Sequence, residues 1–267
     1  MDSKQLALEI RKQAIEMTHR SHASHIGAVL SVADIIAVLY HDTLNVDSEN
    51  PEDDHRDRLI LSKGHAGIAV YAALAERGFF DKQLLNTYYQ NGSILSGHIS
   101  HKGVPGVEVS TGSLGHGIGI AVGMALAAKI DEKAHHIYVI VGDGECEEGS
   151  IWEAALFATH HCLNNLTVIV DHNKMQAMGT CEEQLGWKNL AGKWEAFGFQ
   201  VLECNGHNHG ELREILKVHT EGKPMCILAH TVKGKGISFM ENNLLWHYRD
   251  PQGEFYTRAK YELEEQG

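Results

Sequence analysis

Short apolar runs alternate with stretches of helical periodicity over most of the 267 residues. The apolar runs have strand length and are bounded by glycine, asparagine or charged residues. They cover 58–61, 137–141, 166–170, 200–203 and 225–231. Between them, 3-to-4-residue periodicity predicts helices at 3–20, 31–44, 150–162, 188–197 and 208–219. Two further helices are predicted to end near residues 77 and 129, and another to begin at residue 81. This order predicts an α/β fold, a mostly parallel sheet with helices on both faces.

Three segments need a separate interpretation. Ser31 precedes an apolar helical run and Asp34 follows three residues later, which predicts a helix N-cap at Ser31. The stretch 91–112 is rich in glycine and poorly periodic, and loops of that length are usually functional or disordered. After Asp250 the chain is charged and weakly patterned, so we expect a domain at 1–250 and a tail, docking arm or linker at 251–267.

Composition excludes several classes of protein. The apolar content of 43% suits a globular core. No uninterrupted apolar run approaches the ~18 residues that span a bilayer, and the N-terminus lacks a secretion-signal pattern, so we expect no membrane partner and a cytoplasmic location. The net charge of −12 argues against a nucleic-acid partner. The five cysteines include no C-x-x-C pair, which argues against a disulfide framework, and we expect Cys146 to be buried and inert.

Two polar motifs follow neighbouring predicted strands. Gly142-Asp143-Gly144 follows the run 137–141, and Asn173 follows the run 166–170 after an intervening helix. The carboxyl ends of parallel strands meet at one edge of the sheet, where such folds bind ligands. A carboxylate, an amide oxygen and a backbone carbonyl suit Mg²⁺, which completes its shell with phosphate oxygens and water. The two glycines permit a close approach of phosphate to the backbone. The motifs therefore predict a metal-bridged diphosphate.

This pair of motifs, with others along the chain, resembles the N-terminal, pyrophosphate-binding part of transketolases. The similar motifs are Ser24-His25-Ile26-Gly27, Leu61-Ser62-Lys63-Gly64-His65, Ser96-Gly97-His98, Gly112-Ser113-Leu114-Gly115-His116-Gly117, and Glu241-Asn242-Asn243 with Trp246-His247. The resemblance spans about residues 23–247 and implies a thiamine diphosphate (ThDP) fold, with 1–250 as a single pyrophosphate-binding domain. It implies ThDP and Mg²⁺ as cofactors, with Ca²⁺ and Mn²⁺ as alternative ions. The metal ligands would be Asp143, Asn173 and the backbone carbonyl of Met175.

Histidine is abundant, at 19 residues, and most of these we expect to be solvated or hydrogen-bonded. His19, His22 and His25 have helical i, i+3 spacing, but no fourth zinc ligand lies nearby in sequence. Four histidines in glycine- or serine-rich turns fall where transketolases place active-site histidines. The resemblance implies that His65 approaches the diphosphate, His25 and His247 face the donor carbonyl, and His98 holds the donor's terminal hydroxyl. Imidazoles titrate near neutral pH and suit such proton transfers.

The resemblance also implies the cofactor contacts and the reaction. The expected cofactor-binding positions are His65, Gly112, Leu114, Gly142, Gly144, Glu145, Asn173 and His247. In the resembled reaction ThDP is the electron sink, and a two-carbon ketol unit passes from a ketose to an aldose. In transketolases the catalytic glutamate and the sugar-phosphate clamp belong to later domains, which we expect to lie on a separate chain. We therefore expect the N-terminal subunit of a split transketolase, paired with a C-terminal subunit that carries the pyrimidine-binding domain, as α2β2.

Some positions depart from the transketolase pattern. Ala177 falls where a larger aliphatic residue packs on the thiazolium ring, and Met178 where an aspartate is common, which puts the shape of the pocket in doubt. Ser24 replaces a glycine, and His116 stands where glutamine is frequent. We expect Glu145 to point away from the diphosphate.

Three other functions stay open. One is the α-subunit of a split 2-oxo acid dehydrogenase or decarboxylase, which shares the metal motif but does not predict the four histidines. Another is half of a deoxyxylulose-phosphate synthase. The last is a noncatalytic transketolase-like module that regulates a partner. The sugar donor, its phosphorylation state and the pathway are not determined by this sequence.

Overall fold

A computed structural model describes residues 1–185 and 188–267 of the chain. Five parallel strands form one sheet in the order β1-β2-β3-β5-β4. The strands are β1 (Arg58–Leu61), β2 (Ile137–Gly142), β3 (Leu166–His172), β4 (Gln200–Asn205) and β5 (Met225–His230). All five predicted strands are present within a few residues of the expected bounds, because their apolar runs and flanking turns are local signals.

Nine α-helices connect and flank these strands in the described residues. They are α1 (Ser3–Ser21), α2 (Ile26–Val38), α3 (Gly67–Glu76), α4 (Gly117–Ile130), α5 (Gly149–His160), α6 (Cys181–Leu185), α7 (Leu190–Ala196), α8 (His209–Leu216) and α9 (Glu254–Glu264). Asp81 caps a short 3₁₀ helix, Lys82–Thr87, by accepting from the backbone of Gln83, as its position before a helical stretch predicted.

The side chains of β2 alternate between two hydrophobic cores. Tyr138 and Ile140 pack in the core that α1, α2 and α3 cover, whereas Ile137, Val139 and Val141 pack in the core that α4, α5 and α7 cover. Successive strand residues point to opposite faces, so both faces of the sheet are buried and β2 is apolar throughout. The structure confirms a parallel α/β sheet with helices on both faces.

The start of α2 differs from the sequence prediction. The helix begins at Ile26, and Ser31 lies buried inside it, so Ser31 is not an N-cap. Its hydroxyl donates instead to the Asp171 carboxylate of β3, at 2.6 Å. All residues of α2 are buried, which explains the lack of an amphipathic pattern. By length and composition the helical stretch Ile26–Thr43 would suffice to cross a membrane, and 83% of it is buried inside the fold, as in a core helix.

The weakly patterned C-terminal segment forms α9, which the sequence did not predict. Ala259 and Leu263 of this helix are buried against the core that contains α1. Tyr256 stacks on His19, with 3.7 Å between ring centroids, and its hydroxyl donates to Glu16. Because only two residues of α9 are buried, its apolar stripe is short and gives little periodicity. The division into a domain at 1–250 and a tail stays a prediction.

Candidate active site

A cavity of about 320 Å³ lies at the carboxyl edge of the sheet, where β1, β2, β3 and β5 end. This is the edge where α/β sheets bind ligands, and the volume is within the range of small-molecule sites. Its lining comprises His25, Ala28, Lys63, His65, His98, Gly112, Leu114, Gly142, Asp143, Gly144, Glu145, Asn173, Met175, Gln176, Ala177, Lys233, His247 and Tyr248. Every site residue predicted from the sequence is in this lining, and His116 is not.

The four histidines from separate turns meet on one side of the cavity. The ring centroid of His25 lies 5.0 Å from that of His65, 5.0 Å from that of His247 and 5.9 Å from that of His98. His65 and His247 are 6.3 Å apart. These residues come from loops that are far apart in sequence, so the fold alone brings them together.

The backbone fixes His25 at the centre of this cluster. His25 has φ of 73°, a left-handed conformation that is uncommon for a residue other than glycine. Its backbone N–H donates to the carbonyl of His247 at 2.7 Å, and Ser24 Oγ lies 2.8 Å from its Nδ1. The loop that carries His98 is tied to the turn before His65, because Ile99 donates to the carbonyl of Gly64 at 3.0 Å. The histidines are thus held by backbone contacts before any ligand binds.

The environment of the cluster keeps the imidazoles of His25, His65 and His247 uncharged near neutral pH. Burial, with electrostatic interactions with His98 and Lys233 second, lowers the pKa of His25 to about 4. Burial and Lys233 lower the pKa of His247 to about 3. Burial and the nearby Lys63 hold the pKa of His65 well below its usual value. Uncharged imidazoles can both donate and accept a hydrogen bond, as proton transfer at a substrate hydroxyl requires.

The floor of the cavity carries hard oxygen ligands. Asp143 is 4% exposed, and its two carboxylate oxygens accept from the backbone of Gly144, at 2.7 Å, and of Lys174. Asn173 Oδ1 accepts from the backbone of Met175 at 3.1 Å. Burial, with the charge of Asp171 second, raises the pKa of Asp143 to about 6. A buried carboxylate and amide next to a backbone carbonyl fit a divalent cation, whose charge would offset this unfavourable burial.

The carboxylate of Glu145 is hydrogen-bonded to three neighbouring turns of the site. Its Oε1 accepts from Ser62 Oγ and from the backbone of Gly115, at 2.8 Å, and its Oε2 accepts from the backbone of Gly142, at 3.0 Å. Burial raises the pKa of this carboxyl. The hydrogen bonds agree with the expectation that Glu145 points away from a diphosphate. Its direct contact with a cofactor stays a prediction.

Three charged residues of the site were not recognised from the sequence. Lys63, 2% exposed, donates to the carboxylate of Asp171, which is fully buried. Asp171 also accepts from Asn173 Nδ2 at 3.3 Å and so orients the amide of that metal-ligand candidate. Lys233 donates to the carbonyls of Met175 and Gln176, at 3.2 and 2.9 Å, and lies 3.0 Å from His247 Nδ1. Burial and Lys63 lower the pKa of Lys233 to about 8.

A signal for these residues existed in the sequence. Lys63 and Lys233 each closely follow a strand in a glycine-containing turn, and Asp171 ends an apolar run. Charged residues at the carboxyl ends of parallel strands are candidates for a site by that position alone.

Of the two positions said to affect the shape of the pocket, only one lies in the cavity. Ala177 lines the cavity, whereas Met178 is 81% exposed and does not line it, so only the first changes the shape of the pocket. Cys146 is buried, as predicted, and burial holds the pKa of its thiol well above the usual value, which disfavours the reactive thiolate. Among residues 1–185 and 188–267, no cluster of three or more His, Cys, Asp or Glu side chains is arranged to hold a metal.

The chain is similar to known proteins over nearly its whole length. Residues 2–249 match the family described as transketolase, thiamine diphosphate binding domain. The chain is 42% identical to an apulose-4-phosphate transketolase subunit of Phocaeicola vulgatus, over 96% of this chain and 91% of that protein. It is also 42% identical to the 6-deoxy-6-sulfo-D-fructose transketolase subunit SqwG of Clostridium sp., over 100% of this chain and 98% of that protein.

Solved transketolases share the fold but are longer. A transketolase from Campylobacter jejuni superposes with a TM-score of 0.89 at 33% identity, over 97% of this chain and 43% of that one. Human transketolase is 37% identical over 91% of this chain and 39% of its own length. The chain thus spans about two fifths of these proteins and nearly all of the subunits above. It belongs to the transketolase family, as a transferase subunit of the N-terminal, thiamine diphosphate-binding type.

Proposed function

We propose that this chain is the N-terminal subunit of a two-chain transketolase, which binds Mg²⁺–ThDP and transfers a two-carbon ketol unit from a ketose to an aldose. The observation that carries the proposal is that His25, His65, His98 and His247 line one cavity together with the oxygens of Asp143 and Asn173. A split 2-oxo acid dehydrogenase subunit would need the metal ligands but not this histidine cluster.

The residues of the chain divide between holding the cofactor and handling protons. Asp143, Asn173 and the Met175 carbonyl would hold Mg²⁺, and Gly142 and Gly144 leave room for the diphosphate. When bound, ThDP supplies an electron sink for cleavage and formation of a carbon–carbon bond beside a carbonyl.

We assign the proton transfers and substrate contacts to the histidines that line the cavity. His25 and His247 are uncharged near neutral pH, so each can take a proton from a substrate hydroxyl or donate a hydrogen bond to a carbonyl oxygen. We assign His98 to the terminal hydroxyl of the donor and His65 to the diphosphate. His65 is the more deeply buried of these two, which suits contact with a group at the floor of the cavity.

An exposed apolar surface supports a partner chain. We call this surface the α4–α5 face, and its exposed large side chains are Ile120, Ile130, Leu156 and Phe157. Gly119 and Gly123 lie on the same helix α4, with no atom within 4 Å of where a Cβ would stand, so another chain has room to approach closely. Large apolar side chains that are exposed on neighbouring helices are candidates for a protein interface. We propose that a C-terminal subunit binds there and carries the pyrimidine-binding domain and a catalytic glutamate, in an α2β2 assembly.

We infer that the donor is a ketose with an anionic group at the end farthest from its carbonyl. Two relatives with equal identity are named for different donors, one a phosphate ester and the other a sulfonate. Their shared feature is a terminal anion.

The test is to purify the native chain from its source and assay the eluate for ketol transfer. We expect a second chain to co-purify, and activity only in the mixture, dependent on ThDP and Mg²⁺. Apulose 4-phosphate and 6-deoxy-6-sulfo-D-fructose, each beside its uncharged ketose, report the donor. Asp143→Asn should abolish activity, while Asp47→Asn, at an exposed carboxylate outside the cavity and the α4–α5 face, should retain it. A chain that is alone, inactive and without affinity for ThDP would contradict the proposal and favour a regulatory module.

A further inference from the structure

A buried ionic cluster lies behind the cavity, between α1, α2 and the start of α8. Its centre is the carboxylate of Asp34, which is 6% exposed. Arg11 donates to both of its oxygens, at 3.2 and 2.5 Å, while His207 Nδ1 lies at 2.7 Å and His209 Nε2 at 3.0 Å. Burial alone would raise the pKa of Asp34, but its hydrogen bonds to His207 and His209 and the charge of Arg11 hold that pKa well below its usual range. The carboxylate is therefore ionised and fully coordinated.

His207 connects this cluster to the backbone beside the cavity. The N–H of Val232 donates to His207 Nε2 at 2.8 Å. A backbone N–H can only donate, so Nε2 carries no hydrogen, and Nδ1 carries the proton that it donates to Asp34. The tautomer is thus fixed by its two partners. His207 acts as a rigid link from a buried carboxylate to residue 232.

Arg11 holds the same loop from its other side. Its Nε donates to the carbonyl of Lys235 at 3.1 Å. A Cβ on Gly236 would lie 3.1 Å from Arg11 Cδ, so the loop packs directly on the arginine stem. Two of the three partners of Asp34, His207 and Arg11, therefore contact the loop, at residues 232 and 235. Lys233 lies between these two contacts.

Lys233 extends from this loop into the cavity. It is 2% exposed, and its ammonium is placed between the carbonyls of Met175 and Gln176 and the ring of His247. Met175 is the backbone ligand candidate and His247 a member of the histidine cluster. A small shift of the loop would break these contacts, since hydrogen bonds weaken steeply with distance and angle.

We propose that Asp34, through His207 and Arg11, is a positioning device that sets Lys233 in the half-site for the cofactor. None of the three lines the cavity, so they act through the loop and are positioning residues. The same helix α2 carries Asp34 and, at its N-terminal end, His25, so one rigid element aligns both. The inference rests on the proposed function for its consequence, which is cofactor affinity, but not for its geometry.

The experiment compares three variants of the full chain with the wild type. His207→Phe keeps a ring but removes both hydrogen bonds, whereas His207→Gln retains one acceptor and one donor. His209→Phe is the matched control, because His209 also donates to Asp34 but its other nitrogen lies 2.9 Å from Ser3 Oγ, away from the loop. The first readout, without cofactor, is the acylation rate of Lys233 relative to Lys235 by peptide mass spectrometry. The second is the affinity for Mg²⁺–ThDP by calorimetry.

We expect His207→Phe to raise the acylation rate of Lys233 about five- to tenfold, which is the effect of losing one or two hydrogen bonds on the closed loop. It should weaken Mg²⁺–ThDP binding about tenfold. His207→Gln should restore both values to within about twofold. His209→Phe should change neither, even where it lowers the melting temperature. If His207→Phe does not fold, Arg11→Lys gives the same test, because lysine keeps a charge for Asp34 but lacks the Nε–H that reaches Lys235.

Equal effects of His209→Phe and His207→Phe would overturn the proposal, because general loosening would then explain both. An unchanged acylation rate in His207→Phe would overturn it as well. A faster acylation rate with unchanged cofactor affinity would overturn the functional consequence. Absence of ThDP affinity in the wild type, with and without its partner, would instead refute the proposed function, and the acylation contrast would still decide whether the device exists.

Discussion

Asp143→Asn should stabilise the metal-free chain while it abolishes cofactor binding. Burial and the neighbouring Asp171 raise the pKa of the Asp143 carboxyl from 3.8 to about 6. Its negative charge therefore opposes folding when no cation is bound. The proposed metal site would account for this unfavourable charge, as is common at functional sites.

The magnitude follows from linkage. A carboxyl whose pKa is raised by folding contributes stability that is fully present below 3.8 and lost as the pH rises through about 6. At 1.36 kcal/mol per pH unit, the ionised carboxylate costs about 3 kcal/mol at pH 8. Asparagine offers one oxygen to the two backbone N–H groups of Gly144 and Lys174, which gives back about 1 kcal/mol. The expected net gain in unfolding free energy is about 2 kcal/mol.

Asp171→Asn should have the opposite sign. Asp171 is fully buried, but Lys63 donates to it, and Ser31 and Thr231 donate as well. Burial would raise its pKa, yet the charge and hydrogen bond of Lys63 lower it below the usual value. Neutralising this residue leaves the Lys63 ammonium buried without an anion, which costs about 3–5 kcal/mol. The two substitutions, at the ends of neighbouring strands, should therefore change stability in opposite directions. Lys63 hydrogen-bonds to Asp171 and favours its charge, whereas burial and the carboxylate of Asp171 oppose the charge of Asp143.

The assay is urea unfolding of the metal-free chain, in a chelator, at pH 5 and pH 8. The gain from Asp143→Asn should be about 1.4 kcal/mol larger at pH 8 than at pH 5, because the folded carboxyl is largely protonated at the lower pH. A loss of stability in Asp143→Asn at pH 8, or an equal effect at both pH values, would refute the reasoning.

Three further predictions concern the cavity and its walls. Gly64→Ala should lower the free energy of unfolding by about 3 kcal/mol, because its Cβ would lie 2.4 Å from a backbone oxygen. Gly123→Ala, at an open helical position, should raise that free energy by about 1 kcal/mol. Denaturant unfolding measures both changes. His247, with a pKa near 3 from burial and Lys233, should show no imidazole titration by NMR between pH 5 and 8, and a midpoint near 6.5 would contradict the buried site. Ser62→Ala removes a donor from the buried carboxylate of Glu145 and should cost about 1–3 kcal/mol in urea unfolding, whereas Ser62→Thr, which keeps the hydroxyl, should cost less; equal losses would contradict the role of this hydrogen bond.

Local signals account for what was predicted correctly. Strand residues such as Val139 and Ile140 are apolar because both faces of a parallel sheet are covered, and that composition is visible in the sequence. Asp143 and Asn173 could be placed together because each directly follows a strand and parallel strands end at one edge. Ser31 was misplaced because a buried hydroxyl and a capping hydroxyl give the same local pattern.

Long-range partners account for what was missed. Lys63 and Asp171 are more than 100 residues apart and carry no local sign of their pairing. The link from Asp34 to His207 joins residues separated by 173 positions. Whether a charge is buried with a partner depends on which elements pack together, and neither hydropathy nor spacing reports that.

The sequence by itself determined the strand and helix order, the edge at which ligands bind and the residue types at that edge, because these depend on periodicity and on the direction of parallel strands. The tertiary structure alone decided which charges are balanced. It set Asp143 beside a second carboxylate, gave Asp171 a lysine, and set Lys233 between two contacts from a distant ionic cluster. The physical reason is that electrostatic free energy in a buried site depends on distances of a few ångströms between side chains that only folding brings together.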